Sequence, residues 1–147
     1  MTPWLVVTSG AEAIDFYRLA FGAEELAERF TGPDGALIHA ELRIGDSVVM
    51  IAEAGADSEP LVRAPDGSSA IVSAIMATYW PDVDAAWARA VSAGAIVLYP
   101  LADRFYGERG GRLRDPLGHQ WMLSQRTERL SHEEITRRAA RYYASDR

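Results

Sequence analysis

The stretch WLVVTSGAEAIDFYRLAFGA, residues 4–23, carries the first half of a pattern that decides the fold. Trp4 to Val7 is a short apolar run rich in β-branched residues, and Thr8, Ser9 and Gly10 then hand it to a turn, as a buried strand does. Ser9 and Glu12 have capping-box spacing. Ala13, Ile14, Tyr17, Ala20 and Phe21 follow as an apolar stripe of helical period, which Gly22 stops. The unit is a strand followed by a helix.

Moving outward, Glu24 to Phe30 reads as a strand ended by Thr31-Gly32-Pro33-Asp34-Gly35, a turn by composition. Ala36 to Ile44 and Ser47 to Glu53 are apolar-rich runs separated by Gly45-Asp46, which predicts a hairpin. After a connector rich in Pro, Gly, Ser and acids, the same order returns. An apolar run from Ala70 to Trp80 precedes Pro81-Asp82, and a helical stripe at Val83, Ala86, Trp87, Ala90 and Val91 stops at Gly94. Ala95 to Tyr99 reads as a strand ended by Pro100. Arg112 to Arg114 and His119 to Ser124 form a pair joined by the turn Asp115-Pro116-Leu117-Gly118. The helix-stop glycines Gly22 and Gly94 are 72 residues apart and the hairpin glycines Gly45 and Gly118 are 73 apart, so the halves stay in register.

A module this small cannot bury enough surface alone, since a domain of roughly 60 residues hides only about 60% of its unfolded surface. The halves therefore pack on each other. The expectation is an α+β fold of two βαβββ modules forming a curved, mostly antiparallel sheet around a central cavity, with the helices outside. Module one spans 2–53, the connector 54–69 and module two 70–125, all within a single domain over 1–147. Ser131 and Glu134 form a second capping box that opens a C-terminal helix over about 131–144. Its apolar positions Ile135, Ala139, Tyr142 and Tyr143 can pack on the body or on a second subunit.

The net charge of −6 and pI near 5.0 argue against nucleic acid or an anionic membrane as partner. The absence of cysteine excludes disulfides, thiolate nucleophiles and Cys-ligated metals. No signal-like segment or long apolar run is present, and a cytoplasmic protein is expected.

The motifs Ala13-Ile14-Asp15-Phe16-Tyr17 through Ala23, His39-Ala40-Glu41-Leu42 with Gly45-Asp46-Ser47, and Asp115-Pro116-Leu117-Gly118-His119-Gln120-Trp121 together resemble the vicinal oxygen chelate superfamily. This is the group of glyoxalase I, bleomycin-resistance proteins and extradiol dioxygenases, and the resemblance is closest to its PhnB-like branch. It implies paired βαβββ modules, often in a homodimer. In metal-dependent members it also implies four side chains, one His or Gln and one Glu from each module, around a divalent ion. Matching helix ends and hairpin glycines puts Thr2, Val49, Ile75 and Met122 at those positions. Three are apolar, so the usual metal site is expected to be absent, and with it any metal cofactor.

The remaining candidates are few. His39 and Glu41 alternate on one strand and so share a face with Arg43. They read as an acid/base pair or as an ion-paired strand face. His119 stands beside Trp121, where it can tie the hairpin. A rearranged metal site would draw on His39, Glu53 and His119. Phe105-Tyr106-Gly107-Glu108-Arg109-Gly110-Gly111 reads as a long connection able to grip a planar or anionic ligand. The expected cavity lining is therefore Phe105, Tyr106, Arg109 and Trp121 with Val49, Met122 and Ile75. The function expected is binding of a small organic ligand without metal. The alternatives are a metal-dependent lyase, isomerase or dioxygenase with a rearranged site, and a non-catalytic dimerisation or regulatory module.

Overall fold

The computed structural model describes residues 1–56, 62–65 and 71–145. Much of the connector expected at 54–69, and Ala70 at the head of the following run, lie outside the described residues. Module one comprises β1 (Trp4–Val7), α1 (Gly10–Phe21), β2 (Glu24–Glu25), β3 (Phe30–Thr31), β4 (Leu37–Ile44) and β5 (Ser47–Glu53). Module two comprises β6 (Ile75–Tyr79), α2 (Val83–Ser92), β7 (Ile96–Arg104), β8 (Glu108–Arg114) and β9 (Gln120–Arg126), and α3 (His132–Ser145) is the last described element.

The expected repeat is present, as two sheets. The first runs β1-β5-β4-β2 with β3 also on β4, and the second runs β6-β9-β8-β7. Each is mixed, because β1 pairs parallel with β5 and β6 parallel with β9 while the hairpins are antiparallel. The helix after each first strand lets the chain cross over and return parallel to it. Ser9 caps α1 through the Glu12 amide, and Asp82 does the same for α2 through Ala85. Gly22 adopts the left-handed conformation at φ 65° and donates its N–H back to the last turn of α1, a geometry that a side chain would strain.

Three local expectations are corrected. The strand expected over Glu24 to Phe30 is two short pieces, and Arg29 reaches back to Glu25 at 2.7 Å between them. Pro100 does not end β7. That strand is the sheet edge and its register shifts around Tyr99 to Ala102, so the missing N–H breaks no ladder. The connection expected at Phe105 to Gly111 is a tight turn between β7 and β8, with Glu108 already in strand.

One core serves both modules. Tyr17 and Phe21 of α1 meet Trp121 of β9 at ring-centroid distances of 5.3 and 4.7 Å, and Phe21 also lies 5.8 Å from Trp80. The Tyr17 hydroxyl donates to Asp115 at 2.7 Å across the module boundary. The helices α1 and α2 pack on each other and on their own sheets. Each sheet thus has one face covered by helix and one face free of α1 and α2.

Gly111 shows how closely α2 lies on its sheet. A Cβ there would stand 2.6 Å from the Trp87 ring and 2.9 Å from the Leu101 amide nitrogen. Gly111→Ala is expected to cost about 2 kcal/mol through overpacking. The check is a urea-denaturation midpoint, and an unchanged midpoint would contradict the packing.

Candidate functional site

Alternation assigns every strand residue to one of these two faces. In β8, Arg109 pairs with Asp84 of α2, Gly111 abuts Trp87 and Leu113 is buried, so odd positions face the helices. Glu108, Gly110, Arg112 and Arg114 therefore face away. The register carries this face across the sheet. Tyr99 stands opposite Arg112, Arg112 opposite Met122 and Met122 opposite Ala77, a continuous row.

Tyr99, Arg112 and Met122 of this row floor a cleft of about 350 Å³. Phe105 and Tyr106 at the β7–β8 turn form one wall. Tyr142 and Tyr143 of α3 form another, with the Tyr142 ring 5.2 Å and the Tyr143 ring 6.1 Å from that of Phe105. The helix α3 has no buried residue, and the Arg138–Glu128 ion pair holds its approach to the body.

Of the expected cavity residues, Phe105, Tyr106 and Met122 meet in this cleft. Arg109 does not join them, because β8 turns it to the helix face. Asp84 there accepts from its Nε and Nη2 at 2.9 and 2.7 Å, and Asp103 from Nη1 at 3.3 Å. This carboxylate pair holds the guanidinium above its ordinary range. Val49 and Trp121 are core residues whose edges reach a separate groove beside the β4–β5 turn. Ile75 lies on the free face of β6, one row from Met122, and is exposed. Arg112 lines the cleft without being among the expected residues. The alternation counted from Leu113 was the signal that could have found it.

The matching of metal positions also slips by one residue. Ser9 and Asp82 cap equivalent helices, which makes Trp4 the counterpart of Ala77. Trp4 stands opposite Met50 as Ala77 stands opposite Met122, so Met50 takes the place assigned to Val49. The cause is the hairpin: β4 and β5 turn tightly at Gly45-Asp46, whereas five residues separate Arg114 from Gln120. A slip of one exchanges the faces of a strand. The corrected set of Thr2, Met50, Ile75 and Met122 offers one hydroxyl, two thioethers and a hydrocarbon, which does not fit a hard divalent ion.

The weaker candidates are dispersed. His39 and Glu41 lie on the free face of module one, with Nε2 to Oε1 at 3.4 Å, and the Trp4 ring meets His39 edge-on at 5.7 Å. His39 and Glu53 both line a second cleft of about 460 Å³ with Trp4, Val6 and Ile38. Glu53 is engaged there by the Gly10 amide at the start of α1, at 2.7 Å. His119 instead bonds through Nε2 to the Val6 carbonyl on the open edge of β1, at 2.9 Å. Among the described residues no group of three or more His, Asp or Glu stands where it could hold a metal ion.

Residues 3–123 match the family described as the Glyoxalase/Bleomycin resistance protein/Dioxygenase superfamily. The chain belongs to that superfamily. An uncharacterized protein of Mycobacterium bovis is 40% identical over 138 residues, which cover 92% of this chain and 88% of that protein. TioX from Micromonospora sp. ML1 has 28% identity and a TM-score of 0.67, covering 86% of this chain and 97% of that one. A glyoxalase/bleomycin resistance protein/dioxygenase from Nocardioides shares the fold at 17% identity and a TM-score of 0.64, covering 90% and 85%. Among the described residues no helix is long and apolar enough to cross a membrane.

Proposed function

We propose that this superfamily member binds a small organic molecule in the cleft of module two, without a metal ion at the superfamily's usual positions. The observation that carries the reading is the position of α3. It buries no side chain of its own, yet it lays Tyr142 and Tyr143 against Phe105 to wall a cleft floored by Tyr99, Arg112 and Met122. Aromatic walls with a few placed polar groups are what small-ligand sites are made of. On this reading the chain is nearest the PhnB-like branch, which the motifs Ala13 to Ala23, His39 to Ser47 and Asp115 to Trp121 together support. Catalysis by His39 and Glu41 draws less support, since at 3.4 Å they make only a long contact and Glu53 is turned to the α1 amide.

The test is a screen of planar aromatic fragments by two-dimensional NMR in the presence of EDTA. Hits are expected to move the resonances of Phe105, Met122, Tyr142 and Tyr143, with or without the chelator. Hits that bind only with added divalent metal, or that map to His39 and Glu53, would sink the reading.

A further inference from the structure

We infer that the ligand of the module-two cleft is a planar aromatic anion whose carboxylate-like group is received by Arg112; this rests on the preceding reading of the cleft. Arg112 lies on the cleft floor, directly opposite Tyr99, and its guanidinium carbon stands 5.0 Å from the Tyr99 ring centroid. Stacking on a tyrosine fixes the plane of the fork without using its donors.

Those donors are unused. Among the described residues, no protein acceptor bonds the Arg112 guanidinium, and its Nε is buried without a partner. Among the described residues, the other arginine lining the cleft and the one that pairs with its Asp103 are committed. Arg104 is tied to the carbonyls of Pro100 and Gly110, and Arg109, whose guanidinium lies on the far face, to Asp84 and Asp103. Asp103, the one carboxylate lining the cleft among the described residues, leans to Arg109 at 3.3 Å and so does not neutralise Arg112. A buried donor left unpaired is uncommon in a folded protein and calls for an explanation such as an absent ligand. A cation with a free planar fork, held on a tyrosine face and ringed by Phe105, Tyr106, Tyr142 and Tyr143, matches two features in one ligand. An anionic group pairs with the fork and an aromatic body packs among the rings.

The matched probes 2-naphthoate and 2-naphthamide separate the two features, with affinity measured by calorimetry and position by NMR. The wild type is expected to bind the carboxylate about tenfold or more tightly than the amide, the size of a charged hydrogen bond. In Arg112→Gln the two affinities should fall within about twofold of each other. Rising salt should weaken the carboxylate preference of the wild type, a reading that needs no variant to fold. Equal binding of both probes in the cleft would overturn the anion assignment and leave the cleft standing. Binding of neither probe would overturn both.

Discussion

Asp115→Ala is expected to destabilise the protein by about 4 kcal/mol, because three buried donors and one half-buried donor lose one acceptor together. The Asp115 carboxylate is 2% exposed. It accepts from the Tyr17 hydroxyl at 2.7 Å, Trp121 Nε1 at 2.9 Å, and the Leu117 and His119 amides at 2.9 Å each. The two amides shape the turn into β9. The two side chains join that turn to α1 of the other module and to the centre of the core. Truncation leaves three buried donors and the half-buried His119 amide without this partner, and their costs are not additive because they share one site. Urea denaturation followed by tryptophan fluorescence reads the loss, and a midpoint within about 1 kcal/mol of wild type would show that the network relaxes onto water.

The same network sets an alkaline limit. Burial, reinforced by the Asp115 charge, pushes the Tyr17 phenol well above its ordinary value of 10.0. A proton held more tightly by the folded state contributes stability that is fully present below the unfolded pKa. That contribution is lost as pH rises through the folded one. The wild type should therefore weaken above about pH 10, and Tyr17→Phe should lose that part of the slope while being less stable at neutral pH.

What was legible from sequence follows from how far each signal reaches along the chain. Caps, helix stops and turn residues act over three or four positions, so Ser9, Gly22, Asp82 and the turn at Asp115 to Gly118 announced their elements directly. The repeat added the partnership of the halves. Side-chain facing is a parity, and one residue more or less in a turn reverses it. Matching through hairpins of unequal length points to Val49, which faces the core, with Met50 on the other side. Arg109 and Arg112 are three apart in one strand and so oppose each other, a fact that required β8 to begin at Glu108. Pairings across 98 and 113 residues, Tyr17 with Asp115 and Val6 with His119, carry no local sequence signal at all.

Ending the chain at Leu130 should leave the protein folded and cost much affinity. No residue of α3 is buried, its ion pair from Arg138 to Glu128 is exposed, and its ring contacts with the body are those of Tyr142 and Tyr143 with Phe105. Exposed ion pairs contribute roughly 0–1 kcal/mol and each of the two aromatic pairs about 0.5–1.5 kcal/mol, so the truncated protein should lose about 1–4 kcal/mol and remain folded. The cleft, by contrast, loses an entire wall. Two ring contacts to a bound naphthyl group, at about 1 kcal/mol each, correspond to roughly a thirtyfold weaker dissociation constant for 2-naphthoate. The preference for carboxylate over amide should survive, because Arg112 and Tyr99 belong to the sheet and not to α3. A truncated chain that binds 2-naphthoate as tightly as the whole protein would show that α3 is not part of the site. One that unfolds would make α3 a structural element instead, and the double substitution Tyr142→Ala with Tyr143→Ala, which leaves the helix and its Arg138 anchor in place, separates these outcomes.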